Sequence, residues 1–195
     1  MRQAKLERKT NETDIRVELD IDGSGRRDIS TGIGFFDHML DLFAKHGLFD
    51  LKVYCKGDTW VDDHHSIEDI GMTMGQAFKK ALGDMKGIRR YGQRILPMDE
   101  ALVLCAVDMG GRPSVISDVE FRREMINDMS TECVHEFFIA FSTNAGMNIG
   151  IKMLAGSNDH HKIEAIFKAC ARALREACEP DERAKEDIPS TKGVL

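Results

Sequence analysis

The sequence predicts an α+β fold made of two similar halves, each a sheet packed on helices, and three observations carry that prediction. Apolar residues alternate at period two in some stretches and recur at helical spacing in others. The order of those stretches in the first half is repeated in the second. An unusual arrangement, "DDHHSIEDIG" at residues 62–71, returns as "NDHHKIEAIF" at residues 158–167. The halves are expected to divide at residues 1–92 and 93–195, each holding one H-H-x-x-E motif.

The elements follow in order. "DIRVELDIDGSG" alternates Ile15, Val17, Leu19 and Ile21 before a Gly-rich turn, the pattern of a first strand entering a hairpin. "FFDHMLDLFAKHG" spaces Phe36, Leu40 and Phe43 at helical intervals and should end at Gly47 as a left-handed cap, with His46 a favourably placed imidazolium in the last turn. "LKVYCKG" reads as a short strand, and residues 64–82 as a helix with Ile67, Ile70, Met74, Ala77 and Ala81 on one face. The second pass gives "ALVLCAVDMGGRPSVISDVEF" as strand, Gly-Gly turn and strand, and "TECVHEFFIAFSTNAG" as a helix. "NIGIKML" is then a strand, and 160–178 a helix carrying Ile163, Ile166, Phe167, Cys170 and Leu174.

Composition narrows the function. With 195 residues, 42% of them hydrophobic, the chain can bury a substantial core. A net charge of −6 without a basic tract argues against nucleic-acid or anionic-membrane binding. No apolar run approaches the roughly 20 residues of a spanning helix, and the start lacks an apolar leader, so a cytoplasmic location is expected. Five scattered cysteines without C-x-x-C spacing suggest buried free thiols, not a disulfide framework or a thiolate zinc site.

The histidines carry the chemistry. A shift of 96 positions overlays His64 on His160, His65 on His161, Ile67 on Ile163, Glu68 on Glu164, Ile70 on Ile166 and Ala77 on Ala173. His38 and His135 stand 26 and 25 residues before their H-H pairs, so six of the seven histidines belong to the repeat. Residues four apart share a helix face, so His64 with Glu68, and His160 with Glu164, can close on one cation. Adjacent residues diverge by about 100° around a helix, so each H-H pair should serve two metals. His38, His64, His65, Glu68, His135, His160, His161 and Glu164 are thus eight candidate ligands, enough for two sites of three His and one Glu with open positions. Imidazole and carboxylate donors without thiolate suit Mn, Fe, Co, Ni or Zn.

"GIGFFDHML", "DDHHSIEDIG", "GIRRYG", "PMDEAL", "DMGGRP", "NDHHKIEAIFKACARAL" and the terminal "PSTKGVL" together resemble imidazoleglycerol-phosphate dehydratases of histidine biosynthesis, in order and over nearly the whole chain. There is no room for the phosphatase domain fused to some relatives, so the monofunctional form is expected. The resemblance implies a duplicated ribosomal-protein-S5-domain-2-like fold and two Mn²⁺ per active site. It also implies a homo-oligomer of 24 subunits with active sites between protomers, and conversion of imidazole glycerol phosphate to imidazole acetol phosphate. It further implies Glu12 as acid/base, alongside Glu68 and Glu164 at the reacting centre. Arg90, Arg112, Lys168, Ser190 and Lys192 become contacts to the substrate and its phosphate, and Asp37, Asp99 and Asp108 supports that orient histidines or arginines.

That activity would explain the metal pair. Dehydrating an unactivated diol requires loss of a carbon-bound proton and of a hydroxyl, neither easy at neutral pH. A ring held at each nitrogen by one Mn²⁺ is stabilised as imidazolate and can push out the hydroxyl through a diazafulvene-like intermediate. Two other classes stay open: a di-metal phosphate-ester hydrolase, and a non-catalytic metal-binding oligomer, which would explain the histidines but not the arginines and the "PSTKG" tail.

Overall fold

The computed structural model describes residues 1–185 and 187–193; the last two residues of "PSTKGVL" lie outside them. The first half runs β1 (Gln3–Lys9), β2 (Thr13–Asp20), β3 (Arg27–Ser30), α1 (Gly34–Gly47), β4 (Asp50–Gly57) and α2 (His64–Leu82). The second runs β5 (Tyr91–Met98), β6 (Ala101–Asp108), β7 (Ser114–Ser117), a short hairpin β8 (Met125–Ile126) and β9 (Met129–Ser130), α3 (Cys133–Ala145), β10 (Asn148–Ala155) and α4 (Asp159–Cys178). The sheets have matching strand orders, β1-β2-β4-β3 and β5-β6-β10-β7. Each is antiparallel except for its last pair, β3 with β4 and β7 with β10. The fold is α+β with two similar sheet-plus-helix halves, as expected; the β8–β9 hairpin has no counterpart in the first half.

The short β8–β9 hairpin and two longer strands, β1 and β5, went unread in the sequence. β1 and β5 lie at sheet edges, where each buries few side chains and charged residues dilute the alternation: in QAKLERK only Ala4 is fully buried. β2 consequently forms its hairpin backwards, with β1 through the Thr10–Glu12 turn, and not forwards through the Gly-rich turn as expected. The chain after that turn crosses to the far side of β4, where β3 pairs in parallel.

The helices lie between the sheets and exchange partners between the halves. α2 covers β1 and β2 but packs along α3 of the other half, while α4 covers β5 and β6 and packs along α1. The α2–α3 approach is close because Gly71 and Gly75 lack side chains; a Cβ there would stand 2.8 Å from the Phe137 carbonyl oxygen and 2.5 Å from that of Phe141. Phe36, Phe43, Phe49, Phe78, Phe137, Phe141 and Phe167 fill the space between the helices in edge-on and stacked contacts.

Two expectations for α1 need correction. The left-handed cap is Leu48 (φ 58°), and Gly47 is the last helical residue, where a Cβ would strike the Phe49 ring at 2.3 Å. His46 does stand in the last turn, but burial, then Lys168 and Arg172, lower its pKa, so it favours the neutral imidazole over the imidazolium.

Candidate active site

The two H-H-x-x-E motifs start their helices in the same way. The Asp62 carboxylate accepts from His64 N at 3.0 Å, and the Asn158 side chain, 96 residues on, accepts from His160 N at 2.9 Å. Asp63 and Asp159, the next equivalent pair, reach outward to backbone N–H groups. Asp63 holds Ser130 N at 2.6 Å, and Asp159 holds Arg122 N and Arg123 N at 2.8 and 2.9 Å. The phase of both histidine pairs is therefore set by local capping and by anchors to neighbouring loops.

Helix geometry then separates the adjacent rings. His64 and His65 stand 6.3 Å apart at 89°, and His160 and His161 6.0 Å apart at 80°. The first histidine of each pair faces the glutamate one turn on: His64 Nε2 to Glu68 Oε2 is 4.0 Å, and His160 Nε2 to Glu164 Oε2 is 3.3 Å. The second turns to a carboxylate the sequence did not single out. His65 Nδ1 lies 3.1 Å from Asp58, and His161 Nδ1 2.7 Å from Glu100. Those hydrogen bonds raise both imidazole pKa values, against a little burial, and His161 in return, with the Asn158 backbone N–H, holds the Glu100 carboxyl down at about 2. A carboxylate on Nδ1 leaves Nε2 as the free lone pair, the arrangement found behind metal-ligating histidines.

Because α1 packs on α4, His38 from the first half meets the second motif. Its Nε2 lies 3.7 Å from Glu164 Oε2, and the donor atoms of His38, His160 and Glu164 all fall within 4.8 Å of one another. Glu164 is 7% exposed. Burial pushes its pKa up, but the Lys168 ammonium, with His38 and His160, outweighs that and keeps it below the usual carboxylate range. Lys168 engages Oε1, leaving Oε2 for the two histidines.

Among the described residues this is the only such group of three donors within one chain. His64 with Glu68 stays a pair. His135 is exposed on α3 at the mouth of a cavity of about 260 Å³ lined by Val119, Phe121 and Phe138, away from any second donor cluster.

The phosphate candidates divide similarly. Arg90, at φ 71°, gives Nε and Nη2 to Asp108 at 2.7 and 3.2 Å and Nη1 to the Pro189 carbonyl at 2.7 Å. Three of its five N–H groups are thus committed, two to Asp108 and one to the C-terminal turn, leaving two. Ser190 Oγ accepts from Lys192 N at 3.2 Å within that turn. Arg112 is exposed, and Glu12 is exposed on the β1–β2 turn. Of the three supporting aspartates, Asp108 orients Arg90 and Asp99 lies 3.5 Å from His161 Nε2. Asp37 instead grips Thr31, through N at 2.8 Å and Oγ1 at 2.5 Å, and among the described residues makes no hydrogen bond or ion pair to a histidine or an arginine.

Residues 31–174 match the family model for imidazoleglycerol-phosphate dehydratase. The chain belongs to that family. It is 57% identical over 195 residues to the imidazoleglycerol-phosphate dehydratase of Clostridioides difficile, with all of both chains covered. Against that of Acetivibrio thermocellus it is 56% identical over 194 residues, covering 100% of this chain and 99% of the relative. The crystal structure of the dehydratase from Staphylococcus aureus superposes with a TM-score of 0.83 at 38% identity, over 91% of this chain and 99% of that one. The Pyrococcus furiosus enzyme gives 0.84 at 36%, over 97% and 100%. The chain is accordingly an enzyme of the hydro-lyase class, a dehydratase of histidine biosynthesis, and among its described residues no helix is long and apolar enough to cross a membrane.

Proposed function

We propose that the chain converts D-erythro-imidazole glycerol phosphate to imidazole acetol phosphate and water, using two Mn²⁺ ions per active site. The observation that carries the metal reading is the meeting of His38 from one half with His160 and Glu164 from the other. The donor set fits. Two ligands about 2.1 Å from one cation lie at most about 4.2 Å apart, and the 3.3 and 3.7 Å spacings to Glu164 Oε2 fall inside that limit. Imidazole with carboxylate suits a first-row divalent ion. Of the remaining donors, His64, His65, Glu68, His135 and His161, one histidine completes this set and the other three with Glu68 form a second site. Since they do not converge within one chain, the reading favours completion between copies, in a 24-subunit cytoplasmic assembly.

When bound, the metal ions polarise the substrate imidazole so that it can accept the electrons released by the departing proton. The chain's own residues do the rest. Glu12, exposed beside the His65 motif, moves a proton between the carbon chain and the leaving hydroxyl. One C–H proton and one hydroxyl leave as water, and the enol that remains becomes the ketone. Lys192, Ser190, Arg112, Lys168 and the two uncommitted N–H groups of Arg90 bind the phosphate and hold the diol in line. The halves 1–92 and 93–195 act as one repeated unit, the second bearing the phosphate tail. The test is an assay of purified protein with Mn²⁺, following the keto product, with EDTA as control. Release of inorganic phosphate without keto product would replace this reading with a di-metal hydrolase.

A further inference from the structure

Glu12 stands on a turn whose placement is fixed by a buried carboxylate outside it. Thr10 builds the turn: its Oγ1 accepts from Glu12 N and Thr13 N at 3.1 and 3.0 Å, and Thr10 N donates to the Thr13 carbonyl at 2.9 Å. Among the described residues the Glu12 carboxylate has no hydrogen-bond partner of its own. Asp69, one residue beyond Glu68 on α2, grips both strands of the hairpin. Its Oδ2 accepts from Thr13 Oγ1 at 2.6 Å, and its Oδ1 faces Arg8 Nη2 at 2.8 Å. Asp69 is 6% exposed and Thr13 2%. The turn bearing Glu12 therefore hangs from the helix that carries His64, His65 and Glu68.

Stability alone is a poor account of this clamp. Asp69 buries its charge against an Arg8 that stays a third exposed, a pairing that commonly contributes no more than a well-packed apolar replacement, and among the described residues it leaves Arg8 Nε buried without a partner. The second half solves the same packing problem differently. The residue 96 positions on is Ala165, fully buried, and the equivalent β5–β6 turn reaches His161 directly through Glu100. The buried charge is kept in the half whose turn carries an otherwise untethered Glu12.

We propose that Asp69, acting through Thr13, is a positioning residue that sets where the Glu12 carboxylate stands relative to His65 and Glu68. The proposal rests on Glu12 being the acid/base group. It is tested in the Mn²⁺-loaded full chain with Asp69→Asn, Thr13→Val, Thr13→Ser and Glu12→Gln, measuring kcat, KM and bound metal. Asp69→Asn and Thr13→Val should lower kcat by about 10- to 100-fold, the scale of a displaced reacting group, while KM stays within about threefold and metal content is unchanged. Thr13→Ser, which keeps the hydroxyl, should restore activity to within about twofold of the parent. In a background of Glu12→Gln neither change should lower kcat further, because both act through the same group. If Asp69→Asn does not fold, Thr13→Val carries the test. Parental kcat in folded Thr13→Val and Asp69→Asn, or losses that multiply with Glu12→Gln, would overturn the proposal. Parental kcat in Glu12→Gln would instead overturn the acid/base reading beneath it.

Discussion

Glu100→Gln tests whether the carboxylate behind His161 governs metal binding or is only a surface ion pair. A neutral imidazole carries one N–H. With Glu100 Oε2 2.7 Å from Nδ1 and Asp99 Oδ2 farther off, 3.5 Å from Nε2, a neutral ring keeps that proton on Nδ1 and leaves the Nε2 lone pair for a metal. Oε1 is already held by three donors, Asn158 N at 2.7 Å, Ser157 N at 3.2 Å and Ser157 Oγ at 3.3 Å. A glutamine therefore keeps its carbonyl there and turns its NH₂ onto Nδ1. Facing a donor, Nδ1 must become the acceptor, and the proton moves to Nε2, where it blocks a metal. Loss of such a supporting partner lowers metal affinity by about 10- to 100-fold. A second effect opposes this. Glu100 also raises the His161 pKa, so its removal lessens proton competition. Measuring at about pH 8.5, well above the ordinary imidazole range, removes that second effect. Mn²⁺ competition against a chromophoric chelator gives the affinity directly, and activity against free Mn²⁺ should shift by the same factor. Ser157→Ala, which removes one Oε1 donor without touching His161, is the control. Asp58→Asn should reproduce the effect through His65. Unchanged Mn²⁺ affinity in a folded Glu100→Gln would refute the tautomer argument.

Three further outcomes follow from the same geometry. His64→Ala and His160→Ala should each lower bound metal and abolish turnover while leaving the far-ultraviolet circular dichroism unchanged, and full metal stoichiometry in both would contradict the two-site reading. Deleting residues 189–195, or making Lys192→Ala, should weaken substrate binding by about 1.5–3 kcal/mol, lower kcat as well and leave metal content alone; Arg90→Ala should act alike by releasing Pro189, and unchanged kinetics would reduce the tail to a solvated end. In metal-free protein the raised His65 and His161 pKa values mean that their carboxylate pairs contribute fully below the ordinary imidazole range and are lost as pH climbs through the raised values, whereas the depressed Glu100 contributes above its ordinary range and is lost as pH falls toward about 2. The thermal midpoint of chelated protein should thus fall from about pH 6 to 9, while stabilisation by added Mn²⁺ grows over the same span as the ligands deprotonate; a rising metal-free midpoint would refute this.

What was legible in the sequence is what local geometry fixes. α2 occupies His64–Leu82 as the apolar spacing required, and the i, i+4 relation of His160 to Glu164 follows from helix pitch alone. What was not legible depends on tertiary placement. Residues of β1 and β5 carry little alternation because so few of them are covered, and nothing local says that β3 must pass β4 before pairing. Asp58 and Glu100 lie 7 and 61 residues before the histidines they hold, in loops without periodicity. Arg90 was read as a phosphate contact, and the partners that already hold it, Asp108 and the Pro189 carbonyl, lie 18 and 99 residues away. Asp37 and His46 were misread because nothing in the sequence shows that Asp37 turns back to Thr31 ahead of the helix, or that Lys168 and Arg172 act on His46 from another helix.

The partner exchange between halves gives the duplication a consequence that two independent copies would lack. α1 lies on α4 and α2 on α3, so no half has its own helix pair to itself. His38 consequently meets a glutamate and a histidine 126 and 122 residues further along, and not those of its own motif. Loops repeat the crossing: Asp128 holds Gly34 N and Phe35 N at the start of α1, and Asp63, at the start of α2, holds Ser130. The second half thus caps α1 and anchors the start of α2, both helices of the first half. A half expressed alone would expose the glycine-lined face of α2 and the aromatic face of α1, and would leave Glu164 or His38 without its partner. Burial of that surface and assembly of the three-donor cluster are therefore one event, which ties the chemistry of the second motif to the folding of the first half.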